Sequence, residues 1–106
     1  MIVEYIRYAI PEGRRNAFER GYGEAQAALS ASPHCLAYEL ARCTEDPSRY
    51  TLRIEWDSAE GHLQGFRTSP EFRTFFAAVR PFVGDIEEMR HYEPTPVRRQ
   101  KEAHHG

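Results

Sequence analysis

Residues 50–82 predict one strand followed by two helices, and each of these elements carries apolar side chains on one face. Alternation at period two places four large side chains on the same face of the strand: Tyr50, Leu52, Ile54 and Trp56. Ser69 followed by Pro70 predicts the start of the second helix, because Ser caps free amides and Pro has no N–H to leave unpaired. That helix carries a stripe at helical spacing: Phe72, Phe75, Phe76 and Val79. Strand and helix must therefore bury these faces together.

A shorter helix is predicted between these two elements. Asp57 with Glu60 three residues later matches a capping box, in which the two side chains satisfy two backbone donors at a helix start. Leu63 and Phe66 are expected to point inward from this helix. It is expected to break near Thr68, where the capping signal of the next helix begins.

The rest of the chain shows the same two periodicities. They predict strands at residues 2–10, 35–43 and 86–92 and a helix at residues 12–30. One face of the first strand carries Ile2, Ile6, Tyr8 and Ile10. The helix carries a stripe of Phe18, Tyr22, Ala25 and Leu29. Gly21 and Gly23 weaken this helix, and a close packing contact would compensate. Asp46 and Pro47 predict a turn, so strands 35–43 and 50–56 should form a hairpin.

The resulting order, β-α-β-β-α-β, is that of the α+β ferredoxin-like fold, a split βαβ domain with an antiparallel sheet. The helices of such a domain cover one face of the sheet. The other face carries Tyr, Ala, Val and Leu rather than uniform charge, so we expect it to pair with a second copy of the chain. We assign residues 1–93 to this domain and the polar residues 94–106 to a flexible C-terminal tail.

Composition argues against several classes of partner. Lys and Arg number 14 against 16 Asp and Glu, for a net charge of −2, and the one basic cluster lies in the tail. A nucleic-acid-binding surface is therefore not expected. Residues 1–5 do not resemble a signal peptide, and no stretch approaches the roughly 20 apolar residues of a membrane span. We expect a cytoplasmic protein with no membrane partner.

The sequence shows no metal or redox motif. Cys35 and Cys43 lie eight residues apart in one predicted strand. Their separation would be about 26 Å in an extended strand, far beyond disulfide reach, so both are expected to be reduced. His104 and His105, in the tail, are expected to be solvent-exposed rather than metal-binding. The absence of CxxC, HExxH, GxSxG and a phosphate-binding glycine loop excludes the enzyme classes that those motifs define.

With these elements in order, the sequence resembles the antibiotic biosynthesis monooxygenase family over roughly residues 1–93. An apolar first strand followed by Pro-Glu-Gly-Arg at residues 11–14 is typical of that family. More specific is a strand ending in Glu55-Trp56 and followed by Asp57-Ser58, with the Ser-Pro-Glu-Phe helix start at residues 69–72 and apolar residues behind it. The resemblance implies that two ferredoxin-like subunits pair their sheets into a dimeric α/β barrel.

The resemblance also implies a chemistry. Enzymes of this family oxygenate electron-rich aromatic molecules such as anthrones, naphthols or quinols without a metal, flavin or haem group, so no cofactor is expected. The substrate's own carbanion reacts with oxygen, which requires a dry pocket, an aromatic wall and a base. The alternative is a non-catalytic dimeric barrel that binds a small hydrophobic ligand or acts as an accessory protein.

Three positions depart from patterns within the family. Relatives that degrade haem have a histidine where this chain has Phe66, and an asparagine on the first strand where this chain offers Arg7 and Tyr8. The resemblance therefore does not extend to haem binding. Some polyketide-oxidising relatives have an asparagine where this chain has Leu52. Their acid–base groups do not map cleanly onto this sequence.

Two histidines are candidates for proton transfer. His62 follows Trp56 by six residues, and the ordinary pKa of histidine near 6.5 suits a base that deprotonates a phenol. The alternative is a solvent-facing histidine, since the buried stripe of its helix is assigned to Leu63 and Phe66. His91, on the last strand, is a candidate second base or anion stabiliser.

The candidate substrate-binding residues are aromatic. Trp56 matches the family's tryptophan and would form a pocket wall, with an ordinary core position as the alternative. Phe66 and Phe76 would line the same pocket. Tyr8 and Tyr38 would supply hydroxyl groups, although tyrosines on half-buried strands more commonly only pack. Such a lining suits a planar aromatic ligand better than a sugar or a phosphate.

Overall fold

The computed structural model describes residues 1–101 and shows a four-stranded antiparallel sheet packed against two main helices. The strands are β1 (Ile2–Ala9), β2 (Cys35–Arg42), β3 (Arg49–Trp56) and β4 (Ile86–Tyr92). The helices are α1 (Arg15–Ala31) and α2 (Pro70–Val79), with a π-helix at Gly61–Phe66 and 3₁₀ turns at Glu12–Arg14 and Arg80–Asp85. The strand order β2-β3-β1-β4 confirms the predicted ferredoxin-like topology and the β2–β3 hairpin.

One core lies between the sheet and the helices. The predicted inward row of β3 is buried throughout, at Tyr50, Leu52, Ile54 and Trp56. The predicted stripe of α1 is buried as well, at Phe18, Tyr22, Ala25 and Leu29. Phe18 lies at the centre of an aromatic group, with ring centroids 4.8–5.2 Å from four neighbours: Tyr8, Tyr22, Tyr50 and Phe82. These aromatic contacts join α1 to the sheet.

Helix α2 begins as predicted. Ser69 is its N-cap, and its hydroxyl accepts a hydrogen bond from the Phe72 amide at 3.2 Å. Pro70 occupies the first helical position, where an N–H would have no intrahelical partner. Phe75 and Val79 are buried, whereas Phe76 remains 39% exposed. The apolar stripe of α2 therefore covers the core, except at its edge, where Phe76 remains partly exposed.

The predicted cap at Asp57 is wrong. Ser58 caps the turn instead, because its hydroxyl accepts from the Gly61 amide at 2.8 Å. The Asp57 amide donates to the carbonyl of His34 at 2.9 Å, which extends the β2–β3 pairing by one residue and delays the helix start. The Asp57 carboxylate pairs with Nδ1 of His34, also at 2.9 Å.

The predicted inward direction of Leu63 is also wrong, since Leu63 is 48% exposed. The Arg67 amide donates to the carbonyl of His62, five residues back, at 3.1 Å. This wider π-helical turn places His62 and Phe66 inside, four residues apart. Phe66 is buried, as predicted.

Two glycines allow the π-helix to lie close to the His34–Asp57 pair. A Cβ atom on Gly61 would collide with the Asp57 carboxylate, and one on Gly65 would collide with the His34 ring. Glycine at both positions thus lets the π-helix pack against this pair without displacing either side chain. The opposite side of the π-helix, with His62 and Phe66, faces the core.

The sheet face opposite the helices is open and mixed in character. Tyr5 and Tyr92 form an edge-to-face pair there, with centroids 5.4 Å apart. Arg53 forms an ion pair with Glu55 at 2.6 Å. After β4, residues 93–101 have no regular secondary structure, and Arg98 reaches Glu55 at 3.4 Å.

Four further expectations concern the cysteines, a membrane span, the tail histidines and the domain boundary. Cys35 and Cys43 are both free thiols, as expected. Within residues 1–101, we find no helix whose length and hydropathy would let it cross a membrane. His104 and His105 lie outside the described residues, and the boundary between domain and tail at residue 93 stays a prediction.

The two glycines of α1 should respond differently to alanine. A Cβ on Gly21 would lie 3.2 Å from the Ala78 carbonyl oxygen and from the Phe82 ring, whereas a Cβ on Gly23 would meet nothing within 4 Å. We expect Gly23→Ala to raise the free energy of unfolding by about 1 kcal/mol, the helix-propensity gain. Gly21→Ala should gain less or destabilise. Urea denaturation measures both, and an equal gain in the two variants would contradict this packing.

Candidate functional site

A cavity of about 200 Å³ lies between α2, the π-helix and the sheet. Its walls are almost wholly apolar and largely aromatic. The lining includes Ile6, Tyr8, Tyr22, Ile54, Trp56, Phe66, Phe72, Phe75, Phe76, Val79 and Met89. Three ionisable residues, Glu4, His62 and Arg67, also line the cavity. Pockets of this kind suit compact apolar ligands that are oriented by a few polar groups.

Glu4 is a buried carboxylate in the sheet, with 2% of its surface exposed. Strand pairing fixes its position, because Glu4 lies opposite Ile54 of β3 and opposite His91 of β4. The indole N–H of Trp56 donates to Oε1 of Glu4 at 3.1 Å. The second carboxylate oxygen, Oε2, lies 3.5 Å from Nε2 of His62 and 3.5 Å from Nε2 of His91. Two imidazole rings and an indole thus converge on one carboxylate.

The environment of Glu4 keeps it ionised. Burial is the largest influence and acts to raise the pKa of Glu4, but His62, Trp56 and His91 together outweigh it and hold that pKa below its usual range. The 3.5 Å contact between Glu4 and His62 is an electrostatic one. Its geometry is not that of a hydrogen bond, and both ring nitrogens of His62 lack a hydrogen-bond partner within residues 1–101.

The His62 ring is held by stacking. It lies against the Trp56 indole with centroids 4.4 Å apart and an interplanar angle of 27°. The Phe66 ring also packs against the Trp56 indole, with centroids 4.8 Å apart, and lies 6.5 Å from the His62 ring. The His91 ring lies 5.0 Å from His62. His62 is only 3% exposed, so the solvent-facing alternative for this residue is excluded.

Most of the predicted site residues come together here. Trp56, His62, Phe66, Phe76 and Tyr8 line the cavity. His91 joins them through Glu4 and is partly exposed. The Tyr8 hydroxyl is not free, because it bonds the Tyr22 hydroxyl, and burial raises the pKa of Tyr8 above its usual range. Whether these residues serve catalysis stays a prediction.

Tyr38 lies elsewhere. It belongs to β2, the edge strand under α1, and it lines a separate groove there rather than the aromatic cavity. Its hydroxyl contacts Ser30 at 2.7 Å and Gln26 at 3.2 Å, both on α1. Tyr38 thus lies outside the cavity that Trp56 lines, and its role in ligand binding stays a prediction. Alternation along β2 predicts the face of the strand on which Tyr38 lies, but it does not predict which helix covers that part of the sheet.

Sequence reasoning missed Glu4. A signal was present, because Glu4 is an acidic residue at an inward position between Ile2 and Ile6 of an otherwise apolar strand face. Carboxylates are rarely buried unless they are paired, so such a break in alternation indicates a partner from another element. The partners are Trp56, His62 and His91, which come from three different parts of the chain.

Two substitutions of Glu4 should distinguish its role as a hydrogen-bond acceptor from the effect of its negative charge. We expect Glu4→Leu to lower the free energy of unfolding by about 1–3 kcal/mol, because the buried indole N–H of Trp56 loses its acceptor. Glu4→Gln keeps a carbonyl oxygen for that bond and should cost less. Urea unfolding, followed by the fluorescence of Trp56, measures both.

The matched controls are Glu24→Leu and Glu24→Gln, at an exposed position of α1. Neither should change stability by more than about 0.5 kcal/mol. Equal stability of Glu4→Leu and Glu4→Gln would show that the Trp56–Glu4 bond does not stabilise the fold.

Comparison with known proteins gives a consistent match. Residues 1–78 match the family described as antibiotic biosynthesis monooxygenase. The uncharacterized Bacillus subtilis protein YczJ is 28% identical over 93 residues, covering 88% of this chain and 98% of YczJ.

Solved structures match over most of their length. A crystal structure from Bordetella bronchiseptica, provisionally named an antibiotic biosynthesis monooxygenase, has a TM-score of 0.71 and 26% identity, covering 89% of this chain and 96% of that one. A similarly named Chloroflexus aurantiacus structure has a TM-score of 0.72 and 24% identity, covering 92% and 95%. The Chloroflexus likeness supports the fold alone.

Proposed function

Because the chain belongs to the antibiotic biosynthesis monooxygenase family, we propose that it oxygenates an electron-rich aromatic or quinol-type small molecule in the aromatic cavity. The observation that carries this proposal is the position of His62. Its ring is buried at the cavity wall, stacked on Trp56 and 3.5 Å from an ionised carboxylate. A dry aromatic cavity with one base is the environment that such a reaction needs.

In the proposed reaction, His62 accepts a proton from the phenol or activated C–H group of the substrate. The resulting imidazolium is stabilised by the Glu4 carboxylate, which Trp56 holds in place. Both ring nitrogens of His62 are shielded in the structure, so the transfer requires a small rotation of the ring as the ligand enters. Trp56 and Phe66 would stack against the planar ligand.

The deprotonated substrate then supplies all the electrons. Its carbanion transfers an electron to O₂, and the resulting radical pair combines into a carbon-bound peroxide anion. The imidazolium of His62 returns its proton to this anion, which gives the hydroperoxide and regenerates the base. Loss of water converts the hydroperoxide to a carbonyl group. One oxygen atom of O₂ enters the product and the other leaves as water, so an activated CH₂ group becomes C=O without an external reductant.

A second candidate function is non-catalytic binding of a small hydrophobic ligand. The observation that favours it is the apolar lining, in which the polar atoms of His62 are shielded from the cavity. This candidate predicts ligand binding that does not depend on a base. The two candidates share the cavity and differ in the role of His62.

Oxygen consumption distinguishes the two candidates. Metal-stripped protein is supplied with a panel of anthrones, naphthols and hydroquinones, and uptake is compared with the spontaneous rate. We expect uptake to fall by about 100-fold or more in His62→Gln, the range associated with loss of a general base.

The matched control is His34→Gln, the same substitution at the histidine that pairs with Asp57 outside the cavity. Its uptake should equal that of the wild type. Saturable binding of these ligands without uptake above the spontaneous rate would favour the binding function. Uptake that is unchanged in His62→Gln would exclude His62 as the base.

We also propose that the open sheet face pairs with a second copy of the chain to form a dimeric α/β barrel. Support comes from the family and from aromatic residues of that face, among them the partly buried Tyr5 and the exposed Tyr92. A symmetric pair would cover the same surface on both copies.

Light scattering after gel filtration at micromolar concentration tests this assembly. We expect twice the mass of one chain for the wild type. Thr51→Arg should give a monomer, because it places a second positive charge opposite Arg7 at the centre of the face. Thr74→Arg, the same change on the exposed side of α2, should remain a dimer. A monomeric wild type would contradict the proposal.

A further inference from the structure

We propose that Glu4, His62 and His91 form a binding site for one divalent transition-metal ion, with Zn²⁺ the best match. One ligand atom from each residue lies within 4.8 Å of the other two. The site does not rest on the proposed oxygenation and would exist in a protein that only binds its ligand. The three residues come from β1, the π-helix and β4, so no spacing motif in the sequence could indicate it.

The distances match those of a zinc site. Zinc binds histidine nitrogen at about 2.0–2.1 Å and carboxylate oxygen at about 2.0–2.2 Å. Two tetrahedral ligand atoms at such distances are separated by roughly 3.4 Å. The Oε2 atom of Glu4 lies 3.5 Å from Nε2 of His62 and 3.5 Å from Nε2 of His91. One ring nitrogen of His62 and one of His91 lie within 4.8 Å of each other, so small shifts would complete the site.

The ligand atoms are available and correctly oriented. The ring nitrogens of His62 are buried and lack a hydrogen-bond partner within residues 1–101, a state that buried polar atoms rarely keep. A bound ion would give Nε2 the partner it lacks. Trp56 occupies Oε1 of Glu4 and leaves Oε2 directed at both histidines. Such an outer hydrogen bond typically fixes a metal-binding carboxylate in place.

The donor set selects the class of ion. Two imidazoles and one carboxylate, without thiolate, suit Zn²⁺ and neighbouring first-row ions better than Mg²⁺ or Ca²⁺, which prefer oxygen donors. Three protein ligands leave a fourth position free for a small molecule. Glu4 and His62 both border the cavity, so a phenolate or enolate oxygen of a bound ligand could take that position.

An ion at this site would oppose the proposed base. A neutral imidazole has one free lone pair on nitrogen, so a His62 ring that binds an ion through it cannot also accept a proton. Zinc should therefore suppress base-dependent oxygen uptake. Because zinc binding is measured without substrate, and uptake is measured on metal-stripped protein, failure of either proposal leaves the other standing.

Isothermal titration calorimetry of the metal-free protein with Zn²⁺ tests the site. His104 and His105 are replaced by Gln in every protein, so that this histidine pair cannot compete. We expect one Zn²⁺ per chain, with Kd raised at least about 100-fold in Glu4→Gln and in His91→Gln, since loss of even an outer partner costs 10–100-fold. His34→Gln, which alters a histidine outside the cluster, should leave Kd unchanged.

A second measurement does not depend on any variant of the cluster. Imidazole ¹⁵N–¹H NMR spectra are recorded for the protein with His62, His91 and His34 intact. On addition of one equivalent of Zn²⁺, the signals of His62 and His91 should shift and those of His34 should not. Absence of saturable one-to-one binding would overturn the proposal. Binding with the same Kd in Glu4→Gln and His91→Gln, or shifts confined to His34, would place the ion elsewhere and overturn it as well.

Discussion

A carboxylate inside a protein must be paired, and the pairing of Glu4 joins the parts of this fold that surround the cavity. Its strand neighbours place it at the middle of the sheet, where it receives the indole N–H of Trp56 and attracts two histidines. These contacts fix the end of β3, the π-helix and β4 relative to β1. The aromatic walls of the cavity follow from that arrangement, because Trp56 then supports both His62 and Phe66.

The π-helix places the imidazole ring of His62 next to this carboxylate. A regular helix starting at Asp57 would have directed other side chains inward, whereas the wide turn places His62 flat against Trp56. Its outer side lies against the His34–Asp57 pair, and the absence of a side chain at Gly61 and Gly65 allows this close approach. The imidazole ring of His62 is thereby held against an indole and near a carboxylate at the wall of an apolar cavity, the arrangement from which both the base and the metal site are inferred.

The sequence predicted what depends on local signals. The order of elements, the buried row of β3 and the Ser69 cap of α2 each rest on periodicity or capping within a few residues, and all three are confirmed. Such local signals do not predict which distant elements contact one another. A regular helical period predicts Leu63 inside, whereas the π-helix buries His62 and Phe66 instead. Alternation along β2 does not reveal that Tyr38 lies under α1. Glu4 interrupts an apolar row, but its partners Trp56, His62 and His91 are at least 52 residues away along the chain.

We infer that a planar aromatic ligand lies against the Trp56–His62 stack. Trp56 is the only tryptophan of the chain, so its fluorescence reports on that surface alone. An anaerobic titration with a naphthol or hydroquinone, in which no turnover occurs, measures contact directly. We expect saturable quenching that is lost when Phe76 at the open edge of the cavity is replaced by Glu, and kept when exposed Leu63 is replaced by Glu. Quenching that rises linearly without saturation, or that is equal in both variants, would exclude ligand binding at this stack.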